Sequence, residues 1–203
     1  MTVYVESNFV LEQSLQQEEC DSCARIVALA SQGRIALVVP AFSLAEPHVA
    51  ISGKERVRSR LSNDLRAQLF ELGRSKPLRT VPASFESLAS VLIASAQMER
   101  EGLRDTISEL LRTADVIALD AAILRSAADV QVQYGMSGQD AIVLASVLAH
   151  LDRHRPSESC FLNRNSKDFD DPDVRERLEA FGCRFFTKFD DGLRYIASRI
   201  ETP

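Results

Sequence analysis

The sequence predicts an α/β fold: three layers, α/β/α, around a mainly parallel central sheet, with extra helices in the middle of the chain. Three observations carry this. Short apolar runs at Val3–Val5, Ile35–Val39 and Cys160–Leu162 alternate with helical patterns, as βαβ units require. The run Ile35-Ala36-Leu37-Val38-Val39-Pro40 is apolar without alternation, as expected of a strand buried on both faces. Residues 141–148 are apolar nearly all round, which places their helix at the centre of the molecule.

Taken in order, Val3-Tyr4-Val5 is a first strand, ended by the turn and capping chemistry of Glu6-Ser7-Asn8. A helical pattern follows to Ala30, with a break near Glu18–Asp21, and Ser31-Gln32-Gly33 stops it. After the second strand, Ser43 is expected to cap a helix carrying Glu46 and His48, which bends or restarts at Pro47 or Gly53. A helix is expected from about Phe85 to Leu111. Val116–Leu119 reads as a short extended piece leading to Asp120, the cap of a helix that Gly135 ends. Ser137-Gly138-Gln139-Asp140 opens the apolar helix. Cys160–Leu162 is a strand, Pro172 begins a helix stopped at Gly182, Cys183–Thr187 is a last strand, and residues 190–198 close the chain as a helix. The expected organisation is one domain over 1–203, with a helical elaboration at about 54–112.

At 203 residues, with 45% apolar and 26% charged side chains, the chain can bury a core without metal or disulfide staples. No apolar run is long enough for a membrane span and no signal peptide is visible, so a cytoplasmic location and reduced cysteines are expected. Cys20-x-x-Cys23 lies inside a helical pattern, where buried thiols with a packing role are the expectation. A net charge of −5 argues against a simple basic nucleic-acid binder, and the absence of Trp argues against a base-stacking platform. The charge is uneven, however. Residues 54–79 carry Lys54, Arg56, Arg58, Arg60, Arg66, Arg74, Lys76 and Arg79 against Glu55, Asp64 and Glu71.

In open α/β sheets, ligands bind outside the carboxyl ends of the strands. Glu6 follows the first strand there, and Asn163, Asn165 and Asp168 follow the strand at Cys160. Glu46 and Asp140 lie near helix starts. Four converging acids repel one another unless a divalent cation offsets them, and Mg²⁺ or Mn²⁺ prefers such oxygen ligands.

These residues carry a family resemblance. Val3-Tyr4-Val5-Glu6-Ser7-Asn8 resembles the opening strand of a PIN domain, with Glu6 where that family usually has Asp. Residues 40–46 resemble its second motif, a buried strand followed by a helix bearing Glu. Residues 134–141 resemble the third, where Asp-Ala opens an apolar helix, and residues 162–169 the fourth, with Asn163 where Thr or Ser is common. The resemblance spans nearly the whole chain. It implies a PIN-like fold and a Mg²⁺- or Mn²⁺-dependent ribonuclease, as in many bacterial toxin–antitoxin ribonucleases. Glu6, Asp140 and Asp168 are then the expected metal ligands, and Glu46 a general base or the holder of a metal-bound water. Asn8, Asn163 and Asn165 would orient carboxylates or touch substrate. Arg56, Arg58 and Arg60 are candidates for holding RNA phosphates, although alternate positions do not all share a helical face. An antitoxin or other protein partner and a homodimer are the expected associations.

The extra methylene of Glu6 leaves a second reading open: a catalytically weak or inactive module that binds nucleic acid or a partner. A receiver-like Mg²⁺ site using Lys188 lacks a middle strand ending in an acceptor Asp. His150 and His154 read as a surface helix end.

Overall fold

The structure, a computed structural model, describes residues 1–78, 81–165, 169 and 171–200, and the side chains of these except 78, 81–87 and 89. Five strands form one parallel sheet in the order β3-β2-β1-β4-β5: β1 (Thr2–Val5), β2 (Ala36–Pro40), β3 (Ala114–Ile117), β4 (Ser159–Leu162) and β5 (Cys183–Phe186). β1 is central, pairing Val3 with Leu37 on one side and with Cys160 on the other. Its Val3, Tyr4 and Val5 are fully buried, which is why the run is apolar without alternation.

The helices are α1 (Ser7–Ser14), α2 (Cys20–Ser31), α3 (Ala41–Gly73), α4 (Val81–Thr113), α5 (Ala121–Tyr134), α6 (Gly138–His154), α7 (Pro172–Glu179) and α8 (Phe189–Ile200), with a 3₁₀ turn at Lys76–Leu78. On one face of the sheet, Tyr4, Val38, Phe161 and Phe185 pack with Val130, Ala141, Leu144, Val147 and Leu151 of α5 and α6. On the other face, Phe9 of α1 meets Phe189 of α8 edge-on at 5.4 Å. There α8 approaches β4 so closely that a Cβ on Gly192 would lie 2.4 Å from Leu162 Cδ2.

Local chemistry sets the boundaries much as expected. Asp120 caps α5, accepting from the Ala122 and Ile123 amides, and Gly135 ends it at φ +65°. Ser137 caps α6 by accepting from the Asp140 amide, and Asp171 caps α7 with Pro172 in its first turn. The expected break before Cys20 separates α1 from α2. The four cysteines are free thiols, three of them buried.

Other expectations need correction. Ser43 caps nothing: α3 starts at Ala41, directly after Pro40, and Ser43 lies buried inside it. Nor does the helix restart at Pro47 or Gly53. Pro47 removes one backbone hydrogen bond, a cost of about 3 kcal/mol in a helix interior. Leu44, Pro47 and Ile51 are nonetheless buried at helical spacing, and packing of that stripe outweighs the missing bond. β3 falls at Ala114–Ile117, two residues before the expected piece, with half of it exposed at the sheet edge. His150 is no simple surface residue. Its Nδ1 shares a 2.8 Å hydrogen bond with the Tyr4 hydroxyl, and His154 stacks on its ring.

The chain divides into two compact units, Met1–Pro47 with Asp105–Pro203, and His48–Arg104. The first holds the sheet. In the second, α3 and α4 run side by side: Arg58 Nη1 reaches Glu99 Oε1 at 2.7 Å and Ser95 Oγ at 3.2 Å, and Arg100 pairs with Glu55. Among the described residues, no helix is long and apolar enough to cross a membrane.

Candidate functional site

Glu6 leaves the centre of the sheet at the carboxyl end of β1, in extended backbone at the start of α1. The turn from strand to helix keeps its side chain inside, and Oε1 is buried without a hydrogen-bond partner. Burial is the main reason its pKa rises from 4.5 to about 8. The carboxylates of Glu46 and Asp140 push in the same direction, while the backbone and side-chain N–H groups of Asn8 oppose them. Glu46 of α3 and Asp140 of α6 thus both act on Glu6 from separate elements.

Each of the other two acids is held by a neighbour. The Ser7 hydroxyl donates a short hydrogen bond to Glu46 Oε2. Asp140, in the first turn of α6, accepts from Ser137 Oγ at 2.6 Å and from Asn165 Nδ2 at 3.1 Å. Asn165 is positioned in turn by Asn163, which is buried at the end of β4. Asn163 donates its backbone N–H to Phe186 O at 3.0 Å, and its Oδ1 accepts the Asn165 backbone N–H at 2.7 Å. This side-chain-to-backbone bond folds the loop back on itself. The Asn163 Nδ2 amide is buried without a partner.

Arg164 points the other way. It meets buried Glu12 at 2.5 Å and lies 3.6 Å from Glu18 and 3.7 Å from Glu19. Glu12 also accepts the Glu19 backbone N–H at 2.6 Å, and Glu19 accepts from the Phe189 and Asp190 amides at the start of α8. Arg164 thus anchors the β4 loop to α1 and to the α1–α2 turn. The sequence reading missed Ser7, Ser137, Glu12 and Arg164 as supports of the site. Ser7 and Ser137 were visible only as turn and cap residues, and nothing in the spacing links Glu12 to a residue 152 positions away.

Asp168, the fourth expected acid, lies outside the described residues. Among the described residues, no three of His, Cys, Asp and Glu are arranged to hold one metal ion. The donor chemistry still suits a hard cation: an unpartnered carboxylate oxygen on Glu6, carboxylates on Glu46 and Asp140, and amides that fix them. Cavities of about 540 Å³ and 430 Å³ lie alongside α5 and α6, and neither is lined by these acids. In the other unit, Arg56 and Arg60 are exposed one helical turn apart, whereas Arg58 is turned toward Glu99.

No protein-family model matches the chain, and no curated protein matches it in sequence. Among solved structures, it is similar to VapBC2 from Rickettsia felis bound to a DNA fragment from their promoter. The identity is 11% and the TM-score 0.46, over 92% of this chain and 99% of that one.

Proposed function

We propose that this protein is a PIN-like, Mg²⁺- or Mn²⁺-dependent nuclease that hydrolyses phosphodiester bonds of RNA. One observation carries the reading. Glu6 is buried at the carboxyl end of the central strand with Oε1 unpartnered, while Glu46 and Asp140 act on it electrostatically. Glu6, with Glu46 and Asp140 near it, would gain from a bound divalent cation, which would offset the like charges. Glu6, Asp140 and Asp168 would hold the ion, which when bound supplies Lewis-acid stabilisation and lowers the pKa of water. Glu46, aligned by Ser7, would accept the proton of the attacking water. Asn163 and Asn165 hold Asp140 in place, Asn8 steadies Glu6, and exposed Arg56 and Arg60 offer charge to the phosphate backbone. In this reading the chain is a toxin-like cytoplasmic ribonuclease with an antitoxin or other protein partner.

The test is cleavage of single-stranded and structured RNA by purified protein with Mn²⁺ or Mg²⁺, beside Asp140→Asn and Glu46→Gln. Cleavage should require the cation and fall at least about 100-fold in each variant. Equal cleavage by Asp140→Asn would point to a contaminating nuclease and sink the proposal. A second reading, an RNA-binding or interaction module without cleavage, is favoured by one detail: both Asp140 oxygens already accept hydrogen bonds. It predicts metal-independent RNA binding and no products.

A further inference from the structure

The cavity of about 430 Å³ is lined by the edge strand β3, the start of α5 and the end of α6. Its volume is in the range of small-molecule sites. It is separate from the acids: Asp140 lies in the first turn of α6 and His154 ends that helix, about 21 Å away. Ile117, Ile123 and Ala149 give the cavity an apolar wall, and Asp115, Arg153 and His154 bring polar groups to it.

Sheet and helix build its polar side together. Register sets Tyr4, Val38 and Asp115 in one row across β1, β2 and β3, so their side chains share a face. Tyr4 is fully buried, and its hydroxyl shares a 2.8 Å hydrogen bond with His150 Nδ1. That bond and the edge-on contact of the two rings at 5.4 Å fix the imidazole. His154, one helical turn on, stacks on His150 at 4.0 Å with 18° between the planes. The pKa of His150 is lowered by burial first and then by His154 and Arg153, against Asp115, so the ring is neutral at neutral pH. One face of His154 thus rests on a fixed, uncharged ring. Its other face is accessible, because His154 is exposed and lines the cavity. Asp115 and Arg153 both lie near enough to His150 to act on its titration. Among the described residues, neither has a hydrogen-bond or ion-pair partner, so they do not pair with each other across the cavity.

We propose that this cavity binds a guanine base, stacked on His154 and read by Asp115 and Arg153. The choice of base follows from donor and acceptor counts. Guanine presents N1–H and N2–H side by side, and a carboxylate accepts two parallel N–H groups with its two oxygens. Its O6 and N7 accept from an Arg guanidinium, the commonest specific contact to this base. Adenine, cytosine and uracil each offer a carboxylate one N–H flanked by an acceptor, which repels the second oxygen. Imidazole is among the rings on which unstacked bases lie. The proposal goes beyond the nuclease reading, and its test uses neither metal nor cleavage, so the failure of either leaves the other standing.

The experiment is isothermal titration of the full chain with guanosine 5′-monophosphate in the absence of divalent ions. The nucleotide should bind with a dissociation constant below about 1 mM, at least about tenfold tighter than the adenosine, cytidine and uridine monophosphates. Inosine monophosphate lacks the N2 amine and should lose about tenfold. Asp115→Asn and His154→Ala, both at exposed positions, should keep the wild-type circular dichroism and each weaken the guanosine nucleotide at least about tenfold. A five-residue RNA with one central guanosine separates two sources of the base. Binding tighter than the mononucleotide, and lost in Asp115→Asn, assigns a guanosine within a strand; weaker binding assigns a free nucleotide. No binding, equal binding of all four mononucleotides, or guanosine binding that survives both substitutions would overturn the proposal.

Discussion

The side-chain amide of Asn165 donates to Asp140 Oδ1 at 3.1 Å, tying the loop after β4 to the first turn of α6. Neither residue reaches the other by local geometry. Asn163 turns the loop, Ser137 fixes the helix start, and the two meet at the carboxyl edge of the sheet. An amide N–H donated to a carboxylate stabilises its single charge without adding another, which suits a site already crowded by acids.

Replacing that amide tests the balance. Asn165→Asp turns a donor into a like charge beside Asp140. Thermal stability at neutral pH should fall by about 1–2 kcal/mol, and millimolar Mn²⁺ should restore most of it. Differential scanning calorimetry with and without the ion reads both effects. A variant as stable as wild type without metal would count against the Asn165–Asp140 contact as a structural tie.

The burial of Glu6 makes stability pH-dependent in a defined direction. Its carboxyl holds a proton up to about pH 8 in the folded protein, whereas the unfolded chain releases it near 4.5. The folded state binds more protons across that window, so this group's contribution is complete below about pH 4.5 and is lost as pH rises toward 8. The slope is at most about 1.4 kcal/mol per pH unit. Glu6→Gln keeps the shape and removes the titration. Urea unfolding at pH 5, 6.5 and 8 should therefore show a gain for the variant that grows with pH, and an equal gain at all three values would refute the assignment.

Arg164 is expected to matter through Glu12. Arg164→Met leaves Glu12 charged and buried without its cation, and should destabilise the protein by about 2 kcal/mol, less than a fully buried pair because the guanidinium is partly exposed. Adding Glu12→Gln should recover part of the loss. A double-mutant cycle with no coupling would show that the pair contributes nothing.

Gly192 is a packing test that leaves the acids untouched. Gly192→Ala drives a methyl into Leu162 and should cost about 1–3 kcal/mol, with Leu162→Val relieving part of it. Chemical denaturation of the three variants is the measurement, and a neutral Gly192→Ala would mean that α8 can retreat from β4.

Much of this molecule was legible in its residues. The unalternating run Ile35–Pro40 read as a strand covered on both faces, and Leu37 to Pro40 are buried, with Ala36 exposed at its start. Asp120, Gly135, Ser137 and Pro172 marked helix ends because capping depends on a few neighbouring atoms. The same local logic failed at Ser43 and Pro47. Each has strong intrinsic preferences, but the burial of Leu44, Pro47 and Ile51 outweighs them, and burial is set by distant parts of the chain.

The sequence by itself determined the alternation of strands and helices, and hence a parallel sheet. It also placed Glu6 after the first strand and Glu46 and Asp140 near helix starts. Only the tertiary structure decided the state and support of those acids. Burial and two neighbouring carboxylates hold a proton on Glu6; Ser7, Asn165 and Ser137 engage the other two acids; and Arg164 turns away to Glu12. Helix and strand periods act over a few residues and can be read along the chain. Desolvation and charge coupling depend on separations in space between residues up to 152 positions apart, and these exist only once the sheet has formed.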